Sequence, residues 1–144
     1  MVNQIQLSYK KVDVPNAQIT NSHDAYNLIK KLWEQNLIEI QEHFMVIYLN
    51  RQNKVIGYFT PFKGGNASTV VDDRIIFATG LKAIASAIIV AHNHPSGSLK
   101  PSEEDIKLTK KLVDIGKQMS IKCVDSMIIT KDNGYFSMSD EGMI

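Results

Sequence analysis

Cysteine occurs once in the 144 residues, at Cys123. An internal disulfide is therefore excluded, as is a metal cage built from several thiolates, and the pattern fits a reducing, cytoplasmic setting. Long apolar runs are missing too. The longest, Ala83 to Ala91, is broken by Ser86 and falls far short of the roughly 20 residues that span a bilayer. The N-terminal stretch MVNQIQLSYKK has no continuous apolar segment, which argues against a secretory signal. Net charge is small as well, +1 at neutral pH, so no global electrostatic attraction to nucleic acid is built in. Lys107, Lys110, Lys111 and Lys117 form a local basic cluster, whose ordinary reading is the solvated face of a helix.

What is present suits one domain spanning residues 1–144, with 44% hydrophobic residues to fill a core and 22% charged residues to cover it. Gln4 to Val12 alternates apolar and polar residues, the pattern of a half-buried strand, and Pro15 ends it. Asn21 or Ser22 can cap a helix running to about Asn36, with Tyr26, Ile29, Leu32 and Trp33 on one face. His43 to Leu49 reads as a buried strand, Asn50 to Lys54 as a turn, and Val55 to Phe62 as the returning strand of a hairpin. Gly64 and Gly65 mark another turn, and residues 67–71 fit a short strand. Arg74 to Ala85 has helical periodicity with Ile75, Ala78, Leu81 and Ala85 near one face, weakened by Gly80.

The second half reads more sharply. Ala87 to Ala91 is short and rich in β-branched residues, as expected of a central strand, and it runs into the loop HNHPSGSLKPS. Ser102 opens a helix to about Met119. Ile121 to Thr130 returns as a strand, and Asn133-Gly134 turns the chain so that Tyr135 to Met138 pairs back. The expected class is α/β to α+β: a single mixed β-sheet flanked by helices.

Chemistry concentrates at the end of that central strand. On extended backbone, residues two apart project to the same side, so His92 and His94 can converge on one point. Asp105 falls in the first turn of the next helix, with enough intervening loop to fold it back. Two imidazoles and a carboxylate supply three N/O ligands, the usual protein set for catalytic zinc, with a fourth position left to water. The same three could also hold Fe(II) for oxygen chemistry. Ser102-x-x-Asp105 by itself reads equally as a capping box, and an acid held there can serve both purposes. His23 and His43 show no such company.

His92-x-His94, seven residues, Ser102, two residues, Asp105 resembles the JAMM signature of the MPN-type (JAB) metalloproteases. More narrowly, AHNHPSGSLKPSEED is similar to the RadC-like branch, long associated with DNA repair. The similarity runs from about Glu42 to the C-terminus, including YLN ahead of the hairpin, Arg74, and the closing Tyr135-Phe136-Ser137. Residues 1–41 then supply an N-terminal strand and helix. The resemblance implies an MPN-like, cytidine-deaminase-like architecture and one zinc ion on His92, His94 and Asp105. It further implies Glu42 as general base and Ser102 as donor to the bound water or the oxyanion, in hydrolysis of an amide bond of a peptide or protein substrate.

The sequence also departs from the RadC-like pattern. Ile75 follows Arg74 where those chains usually carry an acid, and Ser126 follows Asp125 where many carry a histidine. Their N-terminal helix-hairpin-helix region has no counterpart, which suggests a stand-alone catalytic-type domain. These departures bear on substrate recognition and on a DNA role more than on metal binding. Two functions therefore compete: a zinc metallopeptidase or isopeptidase, which uses Glu42 and Ser102, and a metal-binding, DNA-repair-associated accessory domain, which has no need of them.

Overall fold

The computed structural model describes residues 1–64 and 70–144. In chain order the elements are α1 (Ser22–Leu32), a 3₁₀ turn (Gln35–Leu37), β1 (His43–Leu49), β2 (Val55–Lys63), α2 (Asp73–Lys82), β3 (Ala87–Asn93), α3 (Glu103–Met119), β4 (Lys122–Ile129) and β5 (Tyr135–Ser137). The strands form one mixed sheet in the order β2-β1-β3-β4-β5. β1 is antiparallel to both β2 and β3, β3 is parallel to β4, and β4 and β5 close as an antiparallel hairpin. The expected mixed sheet flanked by helices is what the chain forms.

Burial explains why β1 and β3 occupy the middle. Both are buried at every residue, as strands covered on two faces must be. Met45, Ile47 and Leu49 of β1 join Ala87, Ile89 and Ala91 of β3 under α1, which contributes Ala25, Leu28 and Ile29. Phe44, Val46 and Tyr48 join Ile88 and Val90 on the other face, beneath Ile76 and Phe77 of α2 and Leu112 of α3. Alternation along β3 therefore sends His92 to the face of α2 and α3, and Asn93 to the face of α1.

Several expectations need correction. Residues 1–12 form no strand and are exposed throughout, with Ile5 at 83% and Tyr9 at 63%. Alternation makes a strand only where an edge and an apolar surface receive it. Here the chain after Pro15 takes the start of the β2 edge: Ile19 N–H donates to the Asn53 carbonyl, and Val55 N–H to that of Ala17. The first helix stops at Leu32, because Trp33 turns to extended backbone. Its cap is Asn21, whose side chain accepts from the Asp24 N–H at 2.8 Å. The face of α2 is shifted by one residue: Ile76, Phe77 and Gly80 are buried, whereas Ile75 and Leu81 are 41% and 47% exposed. Gly80 is part of the reason, since a Cβ there would stand 3.3 Å from the Tyr48 ring and 3.1 Å from Ile121. That helix ends at Lys82 rather than Ala85, followed by Ile84 at positive φ. Most of the strand expected over 67–71 lies outside the described residues, and Val70 and Val71 carry no strand.

Among the described residues, no helix is long and apolar enough to cross a membrane. Cys123 lies buried in β4, and burial together with the nearby Asp125 charge pushes its thiol up to about 12. At neutral pH it is a protonated core residue, not a nucleophile.

α3 meets β4 through a tight turn at Gly116, where Ile121 N–H donates to the Gly116 carbonyl at 2.9 Å. A Cβ on Gly116 would drive into the Ile121 backbone carbonyl, which cannot rotate away. Gly116→Ala should therefore cost about 1–3 kcal/mol in a denaturant titration, as overpacking does. Gly57→Ala, which meets only ordinary contacts with Tyr9, should stay within about 0.5 kcal/mol of the parent. Equal, small effects would contradict this packing.

Candidate metal centre

The strand β3 and the start of α3 bring three side chains together. His92 Nε2 and His94 Nε2 stand 3.0 Å apart. His92 Nε2 is 3.2 Å from Asp105 Oδ1, and His94 Nε2 is 3.3 Å from Asp105 Oδ2. Each imidazole thus faces a different oxygen of the one carboxylate, and one donor atom from each residue lies within 4.8 Å of the other two. Ligands bound at about 2.0–2.2 Å to one tetrahedral ion lie roughly 3.3 Å from each other, so the three fit a single divalent ion. They also form a cluster able to hold a metal among the described residues.

Local structure fixes each donor. His92 pairs across to Phe44 of β1, whose ring stacks on the imidazole with centroids 6.4 Å apart and planes 8° from parallel. His94 is anchored by its backbone N–H to the Ile129 carbonyl at 3.1 Å. Pro95 and Ser96 then turn the chain, closed by Gly97 N–H to the His94 carbonyl at 3.0 Å. Gly97 sits at φ 83°, a conformation glycine adopts without strain. This turn delivers the Ser98 carbonyl to His94 Nδ1 at 2.8 Å. Nδ1 must donate to that carbonyl, so in the neutral ring the lone pair lies on Nε2, facing the other two donors.

Asp105 is held by the capping box of α3. Ser102 Oγ accepts from the Asp105 N–H at 3.0 Å, and Asp105 Oδ2 accepts from the Ser102 N–H at 2.8 Å. The capping reading and the ligand reading therefore coincide in one carboxylate, whose position at a helix N-terminus also favours its charge. The hydroxyl of Ser102, used there as an acceptor, keeps its proton to donate elsewhere.

A cleft of about 730 Å³ opens over these residues and is lined also by Glu42, Ser102, Phe44 and Leu108. Glu42 sits just before β1, and its carbonyl accepts from the Gly64 N–H at 2.8 Å. The other motif positions lie apart. Arg74 clamps Asp72, the cap of α2, through Nε at 3.1 Å and Nη2 at 2.9 Å. Asp125 is buried and accepts from the Ser137 hydroxyl at 2.6 Å, and Ser126 accepts from Thr109 Oγ1 at 2.9 Å. None of these lines the cleft. His43 is buried, with Nε2 3.1 Å from Gln41 Oε1, and His23 lies in the first turn of α1.

Against this geometry stands the kinship of the chain. Residues 19–143 match the family model of the RadC-like JAB domain. The chain is 41% identical over 127 residues to a UPF0758 protein of Flavobacterium johnsoniae, covering 88% of this chain and 53% of that one. It is 39% identical over 127 residues to a UPF0758 protein of Porphyromonas gingivalis, covering 88% and 54%.

This chain belongs to the RadC-like JAB domain family.

The chain spans about half the length of the curated relatives it matches. The match begins at residue 19, so this RadC-like JAB domain includes α1, which lies outside the stretch from Glu42 that carries the resemblance in the sequence. Two groups beside this candidate site were not foreseen. The Ser98 carbonyl is a backbone group with no signature in residue identity. Asn93, fully buried between the two histidines, did carry a signal: a polar amide at the end of a largely apolar strand.

Electrostatics describes what the centre does without an ion. The hydrogen bond to Asp105 raises the His94 pKa above 6.5 against the opposing effect of burial, with help from the Ser98 carbonyl and the Asp105 and Glu42 charges. Burial pushes the Asp105 carboxyl up, but the hydrogen bonds from His92 and His94 outweigh it and hold the group well below 3.8. For His94, a raised folded-state pKa gives stability that is present below 6.5 and lost as pH climbs through the raised value. For Asp105, a depressed one gives stability present above 3.8 and lost as pH falls through the folded value. The metal-free fold gains from both between those limits.

A metal must displace the His94 proton. Affinity for zinc should therefore fall by up to about tenfold per pH unit below the raised His94 pKa. Calorimetry in buffers of different ionisation enthalpy would detect the released proton. Affinity that is flat from about pH 5.5 to 7.5, with no proton release, would contradict the assignment of His94 as a ligand.

Proposed function

We propose that this RadC-like JAB domain hydrolyses an amide bond in a peptide or protein, with water activated by one zinc ion on His92, His94 and Asp105. The observation that carries the reading is the company of the three donors: Glu42 and Ser102 line the same cleft. Zinc is favoured over iron because two imidazoles and a carboxylate with a fourth position open is its usual catalytic arrangement, and because oxygen chemistry gives Glu42 and Ser102 no task. When bound, such an ion lowers the pKa of a coordinated water to about 7 and polarises a carbonyl.

The chain's own residues supply the rest. Glu42 takes the proton from the attacking water and returns it to the leaving amine, which would otherwise depart as a poor leaving group. The Ser102 hydroxyl, its oxygen occupied by the Asp105 N–H, directs its hydrogen to the developing oxyanion. Phe44 and Leu108 give the cleft an apolar wall against which part of a peptide can pack.

Glu42→Ala tests the reading directly. The variant should retain one zinc per chain by elemental analysis while its hydrolysis of peptide and isopeptide libraries falls by about 10²–10⁴-fold. Undiminished hydrolysis would remove Glu42 from the chemistry. Iron in place of zinc, or salt-dependent DNA binding by a parent that hydrolyses nothing, would overturn the hydrolase reading.

A further inference from the structure

Asn93 lies between the two histidines in the chain, yet alternation points its side chain away from them, to the α1 face of the sheet. It is completely buried. An amide there has to be hydrogen-bonded, and every bond it makes goes to one short stretch of backbone. Its Oδ1 accepts from the His43 N–H at 2.7 Å. Its Nδ2 donates to the Ile38 carbonyl at 2.7 Å and to the Gln41 carbonyl at 2.9 Å.

These partners bracket Glu42. The Gln41 carbonyl belongs to the peptide unit on its N-terminal side, and the His43 N–H to the unit on its C-terminal side. Holding both planes fixes the two soft dihedrals of Glu42. The third bond, to Ile38, ties down the turn that leads in after the 3₁₀ segment. Further contacts brace the same stretch from Gly64, just past the end of β2: the Glu42 carbonyl accepts from the Gly64 N–H, and Gln41 Nε2 donates to the Gly64 carbonyl at 2.7 Å. β1 begins only at His43, so without Asn93 the backbone at Glu42 would lack the strand ladder's restraint on this side.

We propose that Asn93 is a positioning residue: it locks the backbone of Glu42 to the strand that carries His92 and leads directly into His94, so base and metal ligands keep a fixed relation. The inference rests on the hydrolase reading for its catalytic consequence, but the clamp itself does not. A base displaced by about 1 Å can cost on the order of 100-fold in rate, which is why a second anchor at this point matters. The histidines need no help from the Asn93 side chain, because the backbone of β3 is held by β1 and β4 and that of His94 by the Ile129 carbonyl.

The test uses Asn93→Ser in the full chain and reads three quantities. Amide exchange at His43, measured by NMR on the metal-free protein, should accelerate by about tenfold or more, while the Met45 and Ala91 amides keep their protection. Zinc affinity should stay within about threefold of the parent, since no ligand has moved. With peptide substrate, kcat should fall about 100-fold at unchanged KM, and the same substitution in a Glu42→Ala background should cost little more. If Asn93→Ser fails to fold, the isosteric Asn93→Asp keeps the shape, loses both donated bonds, and enters the same rate cycle.

Unchanged exchange at His43, parallel loss of zinc affinity and kcat, or an undiminished effect in the Glu42→Ala background would each overturn the proposal. A parent that binds zinc but hydrolyses no peptide would instead defeat the hydrolase reading. The clamp would then stand or fall on the His43 exchange alone.

Discussion

Two imidazole nitrogens and a carboxylate converge on one spot, and they can do so only if a proton or a cation lies among them. The Ser98 carbonyl holds the proton of neutral His94 on Nδ1, so its Nε2 lone pair faces the Asp105 carboxylate at 3.3 Å and His92 Nε2 at 3.0 Å. Like-facing acceptors at such separations repel unless a proton or a cation lies between them. The raised pKa of His94 and the depressed one of Asp105 are the proton's answer to this demand. A divalent ion is the other answer, and the close approach of the donors suits it.

The fold exists around this spot in a specific sense. His92 comes from the central strand, buried on both faces and paired on both edges, and His94, just past its end, is tied by its N–H to the Ile129 carbonyl, so their backbone has little freedom. Asp105 comes from a separate element, but the capping box ties its carboxylate to the Ser102 N–H before any metal is bound. Glu42 arrives from a third direction, at the end of the strand that neighbours the histidines. A site assembled from rigid elements holds its groups more closely than one assembled from loops, and here each group lies in or within one residue of a strand or within the first turn of a helix or at its cap.

Much of this was legible in the residues because it depends on short-range rules. Period-two projection placed His92 and His94 on one side, the Ser102-x-x-Asp105 spacing announced a helix start, and the wholly apolar cores of β1 and β3 announced buried strands. Other features depend on contacts between distant segments. Residues 4–12 have a strand's alternation but no edge to join, because the chain beyond Pro15 takes the first positions along β2. The buried face of α2 is decided by where Tyr48 and Ile121 meet Gly80, which periodicity alone placed one residue away. The Ser98 carbonyl could not be read at all, since a backbone acceptor looks the same at every position.

The central claim is that His92, His94 and Asp105 bind one ion together, and X-ray absorption at the metal edge of the zinc-loaded protein tests it most directly. The geometry predicts four light-atom ligands at about 2.0–2.1 Å, with the multiple-scattering pattern of two imidazoles. His94→Ala should leave one imidazole or none. A six-coordinate, all-oxygen shell, or a spectrum unchanged by that substitution, would contradict the account.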